Sequence, residues 1–113
     1  MELRQRQPRV LDARYIAAVR LLPCAIRPCQ RLPIEAAHIR FGRHGLKRAT
    51  GLGERPDDRW ALPLCRWHHS HQHRSGEVKW WQDRGIDPIE VAIRLYAERY
   101  DHDAMLNALM TGG

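Results

Sequence analysis

The segment "LPLCRWHHSHQH" (62–73) holds one cysteine and four histidines within nine positions. Two further cysteines, Cys24 and Cys29, stand upstream with four residues between them. Thiolates and imidazoles bind zinc tetrahedrally when four of them converge, and ligands paired closely in sequence are typical of such sites. The pairs Cys24–Cys29 and Cys65–His68 therefore predict one structural Zn²⁺ site, whose binding energy would stabilise a small fold. Three buried, inert cysteines are the alternative.

Three histidines of the cluster remain outside this tetrahedral set. His69 and His73 are four residues apart, so they share one face of a helix. Such a pair is typical of a site that holds a catalytic metal ion with open coordination positions. His71 points to the other side of the helix, where it would be solvated or contact a phosphate. The alternative for all three is a polar helix surface.

A further histidine stands in "IEAAHIRF" (34–41), a short, partly apolar stretch that is bounded by a proline and a glycine and predicts a strand. His38 and Arg40 are two residues apart and share a face of that strand. An isolated strand histidine is more often structural than catalytic. Here a basic loop, a second strand and the His69–His73 pair follow it, and this combination favours a functional role.

The elements that must position these side chains follow from periodicity and turn residues. We expect a first helix at 10–22, a knuckle at 24–33, strands at 34–41 and 60–65, a helix at the histidine cluster, and helices within 76–85, 86–100 and 101–113. This order predicts a small α+β protein. Its expected organisation is a basic flexible arm at 1–9 and a single domain at 10–113, with a core at about 22–75 and C-terminal helices at 77–110.

The net charge of +6 is unevenly distributed along the chain. Residues 1–60 hold 13 Lys and Arg against 6 Asp and Glu, whereas residues 61–113 hold 6 against 7. All basic residues except Lys47 and Lys79 are arginine, the side chain suited to bidentate phosphate contact. The loop at 42–59 has four glycines and five Lys or Arg. A polyanion is the expected partner; charge for solubility alone is the alternative.

The first residues, "MELRQRQPRV", are polar and basic, without the apolar stretch of an export signal. No segment approaches the length of a membrane span. We therefore expect a cytoplasmic protein with reduced thiols and no membrane partner, in which cysteines are ligands and not disulfides.

Taken in order, "AAHIR" and "PDDRWALPLCRWHHSHQH" resemble the HNH, or ββα-metal, nuclease motif. The chain is most similar to small HNH proteins of phages and prophages, some of them linked to recombination. The resemblance runs from "LPC" at 22–24 to "RGIDPIEVAIRLY" at 84–96. It implies a zinc-stabilised ββα-metal core with flanking helices at both ends, and a metal-dependent DNA endonuclease that hydrolyses phosphodiester bonds.

The resemblance also implies a role for each matching residue. His38 would be the general base that takes a proton from the attacking water, and Arg40 would clamp a neighbouring phosphate. His69 and His73 would hold a single divalent ion, Mg²⁺ or another, which stabilises developing charge. The zinc of the cysteine site would remain structural.

DNA is the partner that the nuclease resemblance implies, and its contacts would be mostly to phosphate. They would come from the basic arm, Arg40, Arg43, Lys47 and Arg48, with weak sequence specificity and marked salt sensitivity. By analogy, single strands and branched intermediates are candidate substrates, and a recombination protein is a candidate partner. The sequence leaves the oligomeric state open.

Three positions depart from the usual HNH pattern. Ala37 stands where many members carry a metal-binding Asp or His, Trp60 stands near the usual Asn, and the first cysteine pair has four intervening residues where two are more common. Glu35 or Asp58 could supply an oxygen ligand, and a backbone carbonyl could hold the general base. A non-catalytic zinc-knuckle protein that binds nucleic acid is the main alternative. A protein-interaction domain built on helices at 77–84 and 88–99 is a third. In that case "WW" at 80–81 would be an exposed docking patch, although two adjacent tryptophans beside a small core are more often packed.

Overall fold

The computed structural model describes residues 9–111. Their elements follow in the order helix α1 (Ala13–Arg20), strand β1 (Ile34–His38), a 3-10 turn (Asp58–Trp60), strand β2 (Ala61–Cys65), and helices α2 (Arg66–Ser75), α3 (Glu77–Asp83), α4 (Pro88–Ala97) and α5 (His102–Thr111). This is a small α+β arrangement, as the sequence predicts. Of the predicted basic arm at 1–9, all but Arg9 lies outside the described residues. Between residues 9 and 111, no helix combines the length and apolar character needed to cross a membrane.

Strands β1 and β2 form an antiparallel pair that runs from Ile34 opposite Cys65 to His38 opposite Ala61. Every residue of β2 is buried, because helices cover both faces of the pair. The pairing places Cys65 at one end of the sheet and His38 at the other, about 14 Å apart along the strand direction. The sheet therefore sets up two separate ends at which side chains can gather.

Helix α1 begins later than the sequence predicts because Asp12 caps it. The Asp12 carboxylate accepts the Tyr15 N–H at 2.9 Å, an N-cap contact that fixes the first turn. Leu11, which the helical spacing placed on the apolar face, precedes the cap and is 55% exposed. Tyr15 and Val19 are buried against the sheet, as the spacing predicts.

The centre of the protein lies between the sheet and the helices that precede and follow it. Trp80 and Trp81 of α3 are both buried, with their rings edge to face at a centroid distance of 5.0 Å. They pack inside the fold, so the "WW" pair does not form an exposed docking patch. The interaction-domain alternative therefore loses this candidate docking patch.

Candidate functional site

Three thiols and one imidazole converge at the Cys65 end of the sheet. The ligand atoms of Cys24, Cys29, Cys65 and His68 all lie within 4.8 Å of one another. His68 Nδ1 is 3.4 Å from Cys24 Sγ and 3.3 Å from Cys65 Sγ. The Sγ atoms of Cys29 and Cys65 are 3.8 Å apart. The four residues predicted from sequence spacing therefore form one group that could hold a metal ion such as zinc.

These distances fit a tetrahedral site. With Zn–S bonds of about 2.3 Å and Zn–N bonds of about 2.0–2.1 Å, tetrahedral angles separate two sulfurs by about 3.8 Å, and a sulfur from a nitrogen by about 3.6 Å. The observed separations of 3.8, 3.4 and 3.3 Å lie within a few tenths of an ångström of these values. The cysteine spacing, unusual for the HNH pattern, thus still brings both thiols to one point.

Local structure explains why the four ligands meet. The first cysteine pair lies in the turn between α1 and β1, which is fixed to the sheet by a hydrogen bond of 2.8 Å from Ala25 N–H to the Pro63 carbonyl. Cys65 ends β2 and is also the N-cap of α2, since its Sγ accepts the His68 N–H at 3.4 Å. One residue therefore ends the strand, starts the helix and contributes a ligand.

Burial shapes the protonation of this group. It raises the pKa of the Cys24 thiol to about 12 and lowers the pKa of His68. The neutral imidazole is the form that binds a metal ion, whereas the thiol must lose its proton. A bound divalent cation would supply the positive charge that favours thiolates in such surroundings.

A second pair of imidazoles stands further along α2. The Nε2 atoms of His69 and His73 face each other at 3.2 Å. Two nitrogens that share a metal ion at about 2.1 Å, with an angle of about 90–109° at the ion, would be about 3.0–3.4 Å apart. The geometry of the predicted pair therefore suits a shared cation. Burial, and next the neighbouring His69 and Arg40 side chains, lower the pKa of His73.

Glu35 does not lie beside His73 as an oxygen ligand; it hydrogen-bonds the far side of the His69 ring. Its Oε1 is 2.8 Å from His69 Nδ1, while Oε2 accepts from Arg66 Nε at 3.0 Å. Because a carboxylate only accepts, His69 Nδ1 carries the proton and Nε2 is left with a lone pair. A carboxylate behind a metal-binding histidine is a common arrangement that orients the ring.

His38 ends β1 and has a carboxylate partner that sequence reasoning did not assign to it. His38 Nε2 is 2.8 Å from Asp58 Oδ1. Asp58 comes from the 3-10 turn before β2, and its Oδ2 also accepts the Asp12 N–H at 2.7 Å. The sequence analysis considered Asp58 as an oxygen ligand of the metal ion and a backbone carbonyl as the partner of His38. The structure instead pairs His38 with Asp58. His38 Nδ1 remains available for proton transfer.

One open cleft of about 90 Å³ is lined by polar side chains, namely His38, Arg40, Gln72, His73 and Glu77. It is smaller than the roughly 300–1,000 Å³ of sites that enclose a small molecule. Glu77 accepts the Arg40 N–H at 3.1 Å, and burial raises the pKa of this carboxyl group. The cleft therefore brings the strand residue His38 and the helix residue His73 to a common site.

The predicted phosphate-contacting residues divide into exposed and buried ones. Arg43 is half-buried and pairs with the Asp87 carboxylate at 2.8 and 3.0 Å. Arg48 is exposed and pairs with Glu54 at 3.3 Å. Lys47 is only 8% exposed, and its ammonium group donates to the Arg48 carbonyl. Burial lowers the pKa of Lys47. Lys47 thus supports the loop from inside, contrary to the expectation of a surface contact.

His71 is half-buried, and its ring makes contacts within the protein that the sequence does not predict. Its Nδ1 accepts from Trp80 Nε1 at 2.9 Å, and its ring stacks on Trp67 at a centroid distance of 5.2 Å. The imidazole therefore joins α2 to α3. His71 is two residues from both His69 and His73, so on a helix it faces away from them. Its hydrogen-bond partner there is the buried Trp80.

Four polar residues of the site were not identified as such from sequence: Glu35 and Asp58 in their hydrogen-bonding roles, and Gln72 and Glu77 as cleft residues. The strand register offered one signal, because pairing His38 with Ala61 brings the preceding 3-10 turn next to the histidine. Nothing in the spacing of Gln72 or Glu77 indicates the cleft.

Fold and site together define a small α+β protein with a Cys3His group that could bind a metal ion. No family model matches the chain, and no match was found among curated proteins or among solved structures. The HNH resemblance therefore rests on the motif residues of the sequence.

Proposed function

We propose that this protein is a metal-dependent endonuclease of the HNH type that hydrolyses phosphodiester bonds in DNA. One observation carries the proposal. His38, oriented by Asp58 at 2.8 Å, lines the same cleft as His73, whose Nε2 lies 3.2 Å from His69 Nε2. Metal-assisted phosphodiester hydrolysis requires a proton acceptor close to the ligands of a divalent ion. His38 is the candidate for the acceptor, and the His69–His73 pair is the candidate for the ligands.

Each residue then has a distinct task. His38 accepts the proton of the attacking water at Nδ1, and Asp58 stabilises the imidazolium that forms. Arg40 binds a phosphate oxygen at the mouth of the cleft. His69 and His73 would hold a divalent ion such as Mg²⁺, which supplies charge stabilisation to the phosphate and the leaving oxygen when bound. Zn²⁺ in the Cys3His group would stabilise the fold without taking part in the chemistry.

The substrate contacts would be electrostatic and mostly to the DNA backbone. Arg40 lines the cleft, Arg43 and Arg48 belong to the basic loop that follows it in the chain, and Lys47 is buried beneath that loop. Phosphate contacts of this kind give affinity that falls with salt and carry little sequence information. The proposed setting is the cytoplasm of a bacterial or phage-infected cell, with single-stranded or branched DNA as candidate substrates and a recombination protein as a candidate partner.

A non-catalytic zinc protein that binds nucleic acid is the alternative, and one observation favours it. Within residues 9–111, the Cys3His set is the only group of three or more Cys, His, Asp or Glu residues close enough to share an ion. The His69–His73 pair thus provides two protein ligands, and the remaining positions would belong to water and phosphate. Mg²⁺ often keeps several waters and is bound by few protein groups, which leaves both functions compatible with the pair.

The test is cleavage of supercoiled plasmid at low salt with added Mg²⁺, beside the same protein without added divalent ion. Omission of the ion is preferable to a strong chelator, which would also remove zinc. We expect nicking that His38→Ala abolishes and that His102→Ala, an exposed histidine of α5, leaves unchanged. Intact plasmid and intact single-stranded DNA with Mg²⁺, Mn²⁺ and Ni²⁺, together with a gel shift, would establish the binding protein instead.

A further inference from the structure

Gln72 is a polar residue that the proposed mechanism leaves without a task. It lies on α2 between the zinc ligand His68 and the cleft, and only 4% of its surface is exposed. Its side chain lines the cleft beside His73 and Glu77. A glutamine is rarely this buried, because its amide loses hydrogen bonds to water that the protein must replace.

The amide of Gln72 has no such replacement. No hydrogen bond joins it to another residue in the described part of the chain. The other cleft side chains are engaged: Glu77 accepts backbone N–H groups, and His38 is paired with Asp58. The side chain is otherwise enclosed, but its amide oxygen and nitrogen still reach solvent through the cleft. An amide without a protein partner that is accessible only from a cleft therefore points to a ligand with complementary groups.

The surroundings restrict the chemistry of that ligand. Arg40 brings a guanidinium group to the cleft wall, and only its Nη2 is engaged, at 3.3 Å from the Gly51 carbonyl. The Glu77 carboxylate, the one acid on the cleft wall, already accepts the Arg40 and Phe41 N–H groups. A ligand rich in acceptor oxygens and bearing negative charge would satisfy both the guanidinium and the amide.

We propose that the Gln72 amide is a substrate-binding donor that hydrogen-bonds a non-bridging oxygen of the phosphodiester. The phosphodiester lies between Arg40 and His73 in the cleft, so this inference rests on the proposed function for its substrate. Gln72 is a neutral donor. It fixes the orientation of the phosphate without adding charge, whereas arginine contacts add affinity that depends on salt.

Two variants separate these roles. Gln72→Met keeps the volume and removes the amide, and Gln82→Met is the matched control on the exposed side of α3. We expect Gln72→Met to keep the melting temperature close to that of wild type, since the amide makes no hydrogen bond to the protein and the methionine fills the same volume. Its affinity for a short single-stranded oligonucleotide without divalent ion should fall about tenfold, the effect of one charge-assisted hydrogen bond. The salt dependence of binding should stay unchanged, and Gln82→Met should behave as wild type.

A second measurement uses the wild-type protein and does not depend on a folded variant. The side-chain NH₂ resonances of Gln72, in a ¹⁵N-labelled sample, are followed during titration with dimethyl phosphate. We expect them to shift, with the Gln82 resonances as the internal reference. Unmoved Gln72 resonances, or wild-type affinity in Gln72→Met, would overturn the inference.

The two proposals also fail separately. If the Gln72 resonances shift with dimethyl phosphate but plasmid is never cleaved with any divalent ion, the phosphate contact stands and the nuclease is wrong. If plasmid is cleaved and the resonances stay fixed, the nuclease stands and Gln72 is a structural residue of α2.

Discussion

The His38 ring is held by a carboxylate that is itself fixed from two sides. Asp58 Oδ1 lies 2.8 Å from His38 Nε2, and Asp58 Oδ2 accepts the backbone N–H of Asp12 at 2.7 Å. Asp58 is 6% exposed, so the pair is sheltered from competing water. This arrangement selects one tautomer of His38 and directs the basic Nδ1 away from Asp58.

Asp58→Asn should therefore impair cleavage more than it impairs folding. The asparagine still offers an oxygen to Asp12 N–H, but it no longer stabilises a protonated His38 or fixes its tautomer. We expect kcat to fall by about 10²-fold or more, within the range that positioned proton-transfer groups contribute. Plasmid nicking rates and thermal melts measure the two effects. Asp83→Asn, on the exposed side of α3, is the control. A wild-type kcat in Asp58→Asn would contradict the role assigned to the His38–Asp58 pair.

Glu35→Gln should weaken binding of the divalent ion without removing either histidine. The carboxylate fixes the His69 tautomer through the 2.8 Å contact to Nδ1, and loss of such a partner typically lowers metal affinity by about 10–100-fold. Mn²⁺ binding followed by electron paramagnetic resonance gives this affinity without any assay of activity.

Arg66→Ala is the matched control for Glu35→Gln. It removes the other partner of the same carboxylate, and its side chain is exposed. It should leave Mn²⁺ affinity within about twofold, because exposed ion pairs contribute little. Equal affinity in Glu35→Gln and wild type would show that Glu35 does not orient His69 for an ion.

The approach of these cysteine and histidine side chains to one another was predictable, because it depends on their spacing in the chain. Cys65 and His68 are neighbours on the first turn of α2, and His69 and His73 share a helix face, so the positions in the chain nearly determine the geometry. The Cys24–Cys29 pair needed only one further assumption, that the first turn folds onto the end of β2. Local periodicity carries this kind of information well.

The partners of those ligands were not predictable in the same way. Whether Asp58 meets His38, or Glu35 meets His69, depends on how the chain between the two strands returns and on the strand register. Lys47 shows the same limit, because a lysine in a glycine-rich loop has every local sign of exposure. Its burial follows from how the loop lies over Trp60, with Lys47 Nζ 5.8 Å from the ring centroid. Long-range packing decides such contacts.

Removal of the metal from the Cys3His group should unfold the protein. Structural zinc contributes about 10–16 kcal/mol of apparent binding free energy, which is as large as the total stability of a typical domain, about 5–15 kcal/mol. We expect one zinc per chain in the purified protein, and loss of the helical circular dichroism signal on dialysis against a strong chelator. Cys65→Ser should act in the same way because it removes a thiolate ligand, although serine can still cap α2. His44→Ala, at an exposed loop residue, should leave the fold unchanged. A chelated protein with an unchanged melting curve would contradict a structural metal.

Asp12 should contribute stability that disappears in acid. Burial alone would raise the pKa of Asp12, but hydrogen bonds from Tyr100 and the Tyr15 N–H, with the nearby Arg99 charge, lower it below its ordinary value of 3.8. A carboxyl group with a lowered folded-state pKa stabilises the fold fully above its unfolded pKa, and this contribution is lost as the pH falls through the folded value. Asp12→Ala, which also loses the helix cap, should cost about 0.5–2 kcal/mol at pH 7.

The measurement is urea unfolding of wild type, Asp12→Ala and Asp12→Asn between pH 7 and about pH 3, in excess zinc. Asparagine keeps the cap acceptor and lacks the charge, so the gap between wild type and Asp12→Asn isolates the titration of Asp12. Because acid also releases the metal ligands, the comparison uses only those pH values at which all three proteins still show a urea transition. The gap should be constant near neutral pH and close only below about pH 4, since the group titrates beneath its ordinary value. A gap that persists at the acid end would mean that Asp12 acts through its shape and not its charge.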